Sequence, residues 1–152
     1  MTDPNLRLLY QEVILDHNRY PRNYRAMPDA TQSLEGFNPL CGDRYTIFVK
    51  LRDGIIEDIS FLGAGCAISK ASASVMCSVL KGKSVEDAEE LFGRFHRLVT
   101  GQEDATQHEA ELGKLAAFGG VSEFPMRVKC ASLAWHTMKG VIESRSEKVS
   151  TE

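Results

Sequence analysis

R-Y-T-I-F-V-K-L-R-D-G-I-I-E-D-I-S-F-L-G-A-G-C, residues 44–66, is the stretch whose reading decides the fold. Tyr45, Ile47, Val49 and Leu51 alternate with Arg44, Thr46, Lys50 and Arg52, the period of two expected of a half-buried strand, with Phe48 as the exception. Asp53-Gly54 is a hairpin signal. Ile59 and Phe61 put an apolar face on the return strand. A strict two-residue turn would pair Val49 with Asp58 and mix the faces, so a bulge or a longer loop is expected near residues 52–56. After Gly63-Ala64-Gly65 the period becomes helical. Residues 66–81 place Ile68, Val75 and Val79 on one side, and their many Ala and Ser side chains let another element approach closely. Gly82 ends this helix.

Outward from this core, residues 6–17 form an amphipathic pattern in which Leu6, Leu9, Tyr10, Val13 and Ile14 share a face, with Asp3 or Asn5 as cap. Pro21 cannot continue that helix, and residues 22–40, with two further prolines, read as mostly loop. Downstream, Ser84-Val85-Glu86-Asp87 resembles a capping box opening a helix that runs to about residue 99. Residues 101–123, rich in charge and glycine, read as a connection holding one short helix near 107–117. A last helix is expected over 126–143, with Val128, Ala131, Trp135, Met138 and Ile142 at helical spacing. The polar tail at 144–152 has nothing to bury and is expected to fray. The element order predicts one α+β domain over residues 1–143, a small antiparallel sheet of about three strands with helices packed on one face.

Composition narrows the function. The chain has 152 residues, 43% hydrophobic and 26% charged, with a net charge of −3. A nucleic-acid binder normally shows a basic excess, which is missing here. No stretch approaches the roughly 20 apolar residues needed to span a bilayer, so no membrane role is expected. The N-terminal stretch carries acids among its apolar residues and lacks a signal-peptide pattern, so the expected location is the cytoplasm. There, four cysteines read as metal ligands or reactive thiols rather than as disulfides.

The cysteines are Cys41, Cys66, Cys77 and Cys130, and no two form a C-x-x-C pair. Cys41 lies in G-F-N-P-L-C-G-D between a proline turn and a strand start, and Asp43, two residues on, can point to the same side. Asp43 serves equally well as a turn residue bonded to its own backbone. Cys66 opens a helix after a Gly-Ala-Gly loop, where free N–H groups and the helix dipole favour a thiolate. Cys130 comes early in the last helix, near Arg127 and Lys129. Cys77 lies one long stretch of helix beyond Cys66, roughly 16 Å at about 1.5 Å per residue, and reads as a small buried apolar residue. Three thiolates and one carboxylate supply the four donors that zinc takes in a tetrahedral site, and their excess negative charge could be offset by Arg44, Lys70, Arg127 or Lys129. The carboxylate, harder than sulfur, should make such a site more labile than four thiolates. His17, His96, His108 and His136 read as surface or capping residues, with no His-x-x-x-His spacing among them.

L-Y-Q-E-V-I-L-D-H (9–17), P-R-N (21–23), N-P-L-C-G-D (38–43), F-L-G-A-G-C-A-I-S-K-A-S-A-S (61–74) and R-V-K-C-A-S-L-A-W (127–135) together resemble the SufU/IscU/NifU-type iron–sulfur cluster assembly proteins, and specifically the SufU branch. IscU-like scaffolds usually carry a histidine immediately before the third cysteine, where this chain has Lys129, and residues 98–123 look like the insertion that marks the SufU branch. The resemblance implies a zinc site made of Cys41, Asp43, Cys66 and Cys130. It implies sulfur acceptance as a persulfide on Cys41, with stimulation of a SufS-type, pyridoxal-phosphate-dependent cysteine desulfurase, and a cluster-assembly scaffold downstream. Asp43 beside Cys41, and Arg127 as stabiliser of the thiolate or persulfide, complete the implied set. The alternative is an iron–sulfur cluster scaffold using the same ligands. A standalone zinc hydrolase needs an open coordination position and a general base, and the sequence offers neither. A purely structural zinc module is the remaining reading.

Overall fold

A computed structural model of the chain describes residues 4–102, 113–143 and 149–150. Helix α1 (Pro4–Arg19) leads into strands β1 (Gln32–Asn38), β2 (Asp43–Arg52) and β3 (Ile55–Ala64). Helices α2 (Ala67–Leu80) and α3 (Val85–Val99), a 3-10 helix (Gly113–Glu123) and helix α4 (Pro125–Ile142) follow. The three strands pair antiparallel, β1 with β2 and β2 with β3. Val149–Ser150 form a two-residue strand, β4, that runs parallel to Gly36 and Phe37 of β1.

The hairpin between β2 and β3 resolves the conflict of faces in its sequence. Asp53 and Gly54 both take positive φ, 53° and 77°, as a tight two-residue turn of the primed type demands. The register then shifts between Lys50 and Leu51, so that Leu51 faces Ile56 while Lys50 faces Asp58. Glu57 is the extra residue, one position beyond the expected 52–56. With it bulged out, Val49 pairs with Ile59 and Ile47 with Phe61, and all four are fully buried.

The region 22–40 departs from the expected loop, because residues 32–38 form β1. Its inward positions are Leu34, Gly36 and Asn38, all buried. Gly36 is inward because α4 presses on it: a Cβ there would collide with Thr137 Oγ1. The short helix expected at 107–117 falls largely on residues outside those described, and residues 113–123 form the 3-10 helix instead. Of the tail at 144–152, Val149 and Ser150 are the residues described.

The helices cover one face of the sheet, α4 over β1 and β2 and α2 over β3, with α1 against α2. Helix α2 is buried nearly all round, through Ala71, Ser72, Ala73, Ser74, Val75 and Met76. These small side chains allow close approach, and Ser72 Oγ donates to Ala131 O of α4 at 2.6 Å. Trp135 stacks on Phe95 with ring centroids 4.6 Å apart, joining α4 to α3. One end of this assembly collects the start of β2, the end of β3 and the first turns of α2 and α4. Among the described residues, no helix is long and apolar enough to cross a membrane.

Candidate metal centre

Three chain segments deliver donors to that end. Cys41 stands in the short β1–β2 connection, Asp43 is the first residue of β2, and Cys130 lies in the second turn of α4. Cys41 Sγ, one carboxylate oxygen of Asp43 and Cys130 Sγ all lie within 4.8 Å of one another. The two sulfurs are 3.4 Å apart. Asp43 is fully buried and Cys130 nearly so, while Cys41 is exposed.

Cys66 approaches differently. Its backbone N–H donates to Asp43 Oδ1 at 2.9 Å. Its Sγ lies outside the three-donor cluster and caps α2, accepting from Ser69 N at 3.5 Å. The structure therefore brings together three of the four expected ligands by side chain, and the fourth by its main chain. Cys77 is fully buried in α2, and burial holds its thiol well above the ordinary range.

Arg127 is exposed in the first turn of α4, three residues before Cys130. Arg44 is engaged elsewhere, on Glu35 at 2.9 Å and over the Phe37 ring at 4.6 Å, and Lys70 lies over the Tyr24 ring at 5.2 Å. Asn38 and Ser69 are the residues that sequence reasoning passed over. Asn38 Nδ2 donates to Asp43 Oδ2 at 3.3 Å and to Cys130 Sγ at 3.7 Å. Ser69 Oγ joins the Cys66 main chain to the buried Tyr45 hydroxyl, 2.9 Å away. An Asx-turn reading of Asn38-Pro39-Leu40 was available locally. The link to Cys130, distant in sequence, had no local signal.

The donor chemistry fits a soft or borderline divalent cation. Burial, first, and then the adjoining Cys41 and Asp43 groups push the Cys130 thiol far above its ordinary range. Such crowding of anionic donors favours a cation in their midst. Two sulfurs bound to one zinc at about 2.3 Å each with a tetrahedral angle stand about 3.8 Å apart, close to the separation seen here.

Residues 9–131 match the family described as the NifU-like N-terminal domain. A Bacillus subtilis (strain 168) protein named zinc-dependent sulfurtransferase SufU is 43% identical over 138 residues, which cover 90% of this chain and 92% of that one. The iron-sulfur cluster assembly scaffold protein IscU of Streptococcus pyogenes serotype M1 is 41% identical, over 91% of this chain and 85% of its own. Among solved structures, one described as an iron-sulfur cluster assembly scaffold protein for the SUF system, from Fervidobacterium islandicum AW-1, superposes with a TM-score of 0.77 at 32% identity. That match covers 93% of this chain and 98% of the other.

Proposed function

The chain belongs to the NifU-like N-terminal domain family, and from that premise we propose that it is a zinc-dependent sulfur acceptor in iron–sulfur cluster assembly. It takes persulfide sulfur from a SufS-type cysteine desulfurase onto Cys41, stimulates that enzyme's turnover and passes the sulfur to a downstream cluster-assembly scaffold in the cytoplasm. The observation that carries this reading is the contrast in exposure within one cluster: Cys41 faces solvent while Asp43 and Cys130 are buried. A macromolecular donor can reach only the first.

Cys41, Asp43 and Cys130 would hold the ion, with Cys66 as fourth ligand after its side chain turns from the α2 cap. Zinc, when bound, keeps these thiols deprotonated at neutral pH. The transfer itself is a thiol–disulfide-type exchange. The Cys41 thiolate attacks the terminal sulfur of the donor persulfide and forms a new S–S bond. The donor's own S–S bond breaks, and its cysteine leaves as a thiolate. Asp43 and Cys130, fixed by burial, keep their places while the exposed Cys41 swings out. Arg127, exposed beside this opening, supplies positive charge for the developing persulfide anion.

Desulfurase turnover measured with the parent chain and with Cys41→Ala tests the acceptor role, alongside metal analysis of both. The expected result is stimulation by the parent and none by the variant; stimulation that survives in Cys41→Ala removes Cys41 as acceptor. The scaffold reading draws on the same thiol set, since thiolates also suit iron–sulfur clusters. Stoichiometric zinc, with no visible chromophore after attempted cluster reconstitution, separates the two in favour of sulfur acceptance.

A further inference from the structure

Asn38 is fully buried at the end of β1, directly opposite Asp43 in the register. Every polar group it owns apart from its own N–H is engaged around Cys41. Its side-chain Oδ1 accepts from Leu40 N at 3.2 Å, and its main-chain oxygen accepts from Gly42 N at 2.8 Å. These two bonds pin the backbone immediately before and immediately after Cys41. Its Nδ2 carries two hydrogens and has two acceptors, Asp43 Oδ2 at 3.3 Å and Cys130 Sγ at 3.7 Å. The orientation of the amide is set by this chemistry. Leu40 N–H needs an acceptor, and the Asp43 carboxylate needs a donor, so a flipped amide would fail on both sides.

We propose that Asn38 is the positioning residue of the metal centre. Its amide hydrogens hold Asp43 and Cys130 in their places, and its two oxygens form a fixed pivot about which Cys41 alone can leave and return. The inference rests on the metal-site part of the proposed function, and it concerns how the set is held rather than what it does. Buried N–H donors to a carboxylate and a thiolate both orient these ligands and offset their mutual repulsion, as outer-shell partners of metal ligands do. An apolar residue of the same bulk would keep the packing and lose all three side-chain bonds.

The test uses the full chain with Asn38→Ala, and Asn38→Ser as a second variant. The Ser hydroxyl can still accept from Leu40 N but is too short to reach Asp43 and Cys130 together. Two quantities are read: the rate of zinc release to a chromophoric chelator, and the rise in Tm on adding zinc to the metal-free protein. The expected result is release at least tenfold faster in both variants with a smaller zinc-induced rise in Tm. An equal fall in Tm for the metal-free and zinc-loaded forms, with an unchanged release rate, means that Asn38 only stabilises the fold and overturns the proposal. Where Asn38→Ala does not fold, Asn38→Ser decides, and parent-like release from it overturns the proposal as well. The same comparison is run with cadmium(II), another thiolate-seeking ion. A parent chain that holds cadmium but not zinc would count against the zinc reading and still decide the role of Asn38.

Discussion

His17 Nδ1 and Ser74 Oγ lie 2.7 Å apart where α1 crosses α2, with the histidine almost wholly buried. Ser74 Oγ also accepts from Arg22 N at 2.8 Å, and either neutral tautomer of the imidazole can complete its contact with Nδ1. Burial of the ring favours its neutral form in the native state. Burial, with the charges of Arg22 and Lys114, lowers its pKa from the usual 6.5 to about 4. Between those values the unfolded chain binds a proton that the native chain refuses, so stability falls as pH falls from 6.5 toward 4. Each tenfold loss of proton affinity is worth about 1.4 kcal/mol, so the whole fall amounts to a few kcal/mol. Melting curves across pH 4–7 should show this loss in the parent and a flatter dependence in His17→Gln. Equal slopes in the two proteins would place the titration elsewhere.

Gly65 stands against the candidate metal centre. A Cβ there would fall 2.5 Å from both Asp43 Oδ1 and Ser69 Oγ and 2.7 Å from the Tyr45 hydroxyl. Gly65→Ala must therefore push Asp43 from the Cys66 N–H that it accepts. We expect a loss of about 1–3 kcal/mol in stability, in the range of overpacked sites, and at least a tenfold loss in zinc affinity. Chelator competition and thermal melting measure the two separately, and unchanged affinity would count against Asp43 as a ligand.

Cys77 is the thiol outside the centre. Cys77→Ala should keep the full metal content and the full stimulation of the desulfurase, while losing about 1 kcal/mol for the small cavity left in α2. In the native metal-free chain, thiol titration should count the accessible Cys41 and Cys66 and leave Cys77 unreacted until the protein is unfolded. Rapid modification of Cys77 would contradict its complete burial.

Ser84 caps α3, its Oγ accepting from Asp87 N at 3.0 Å. Ser84→Ala should lower stability by about 1 kcal/mol, the usual worth of such a cap, with metal affinity unchanged. A change in affinity would mean that the α2–α3 junction communicates with the far end of the sheet.

Much of this architecture was legible in the residues. The β2–β3 pair, its turn and its need for a bulge followed from Tyr45, Ile47 and Val49 set against Ile59 and Phe61. Ser84 and Gly82 marked helix ends where the structure has them. Strand β1 was hidden because two of its three inward positions are Gly36 and Asn38. One makes room for Thr137 and the other bonds Asp43 and Cys130, so neither contributes to an apolar alternation. At the centre, the local contexts of Cys41, Asp43 and Cys130 singled them out. The resting place of Cys66 Sγ on the α2 cap, and the bridge from Asn38 to Cys130, depend on tertiary packing that no local window contains.

The bulge at Glu57 reaches further than the hairpin end that it occupies. Opposed residues of an antiparallel pair share a face, so drawing Glu57 into the ladder opposite Lys50 would set Asp58 against Val49 and Ser60 against Ile47 and turn Ile59 and Phe61 out to solvent. That slip would carry the end of β3 one residue along β2 and take the Cys66 N–H out of step with the Asp43 oxygen that now receives it. A single acid left out of the ladder at the remote tip thus keeps phase for the whole ribbon, and decides whether the far ends of β2 and β3 meet in step.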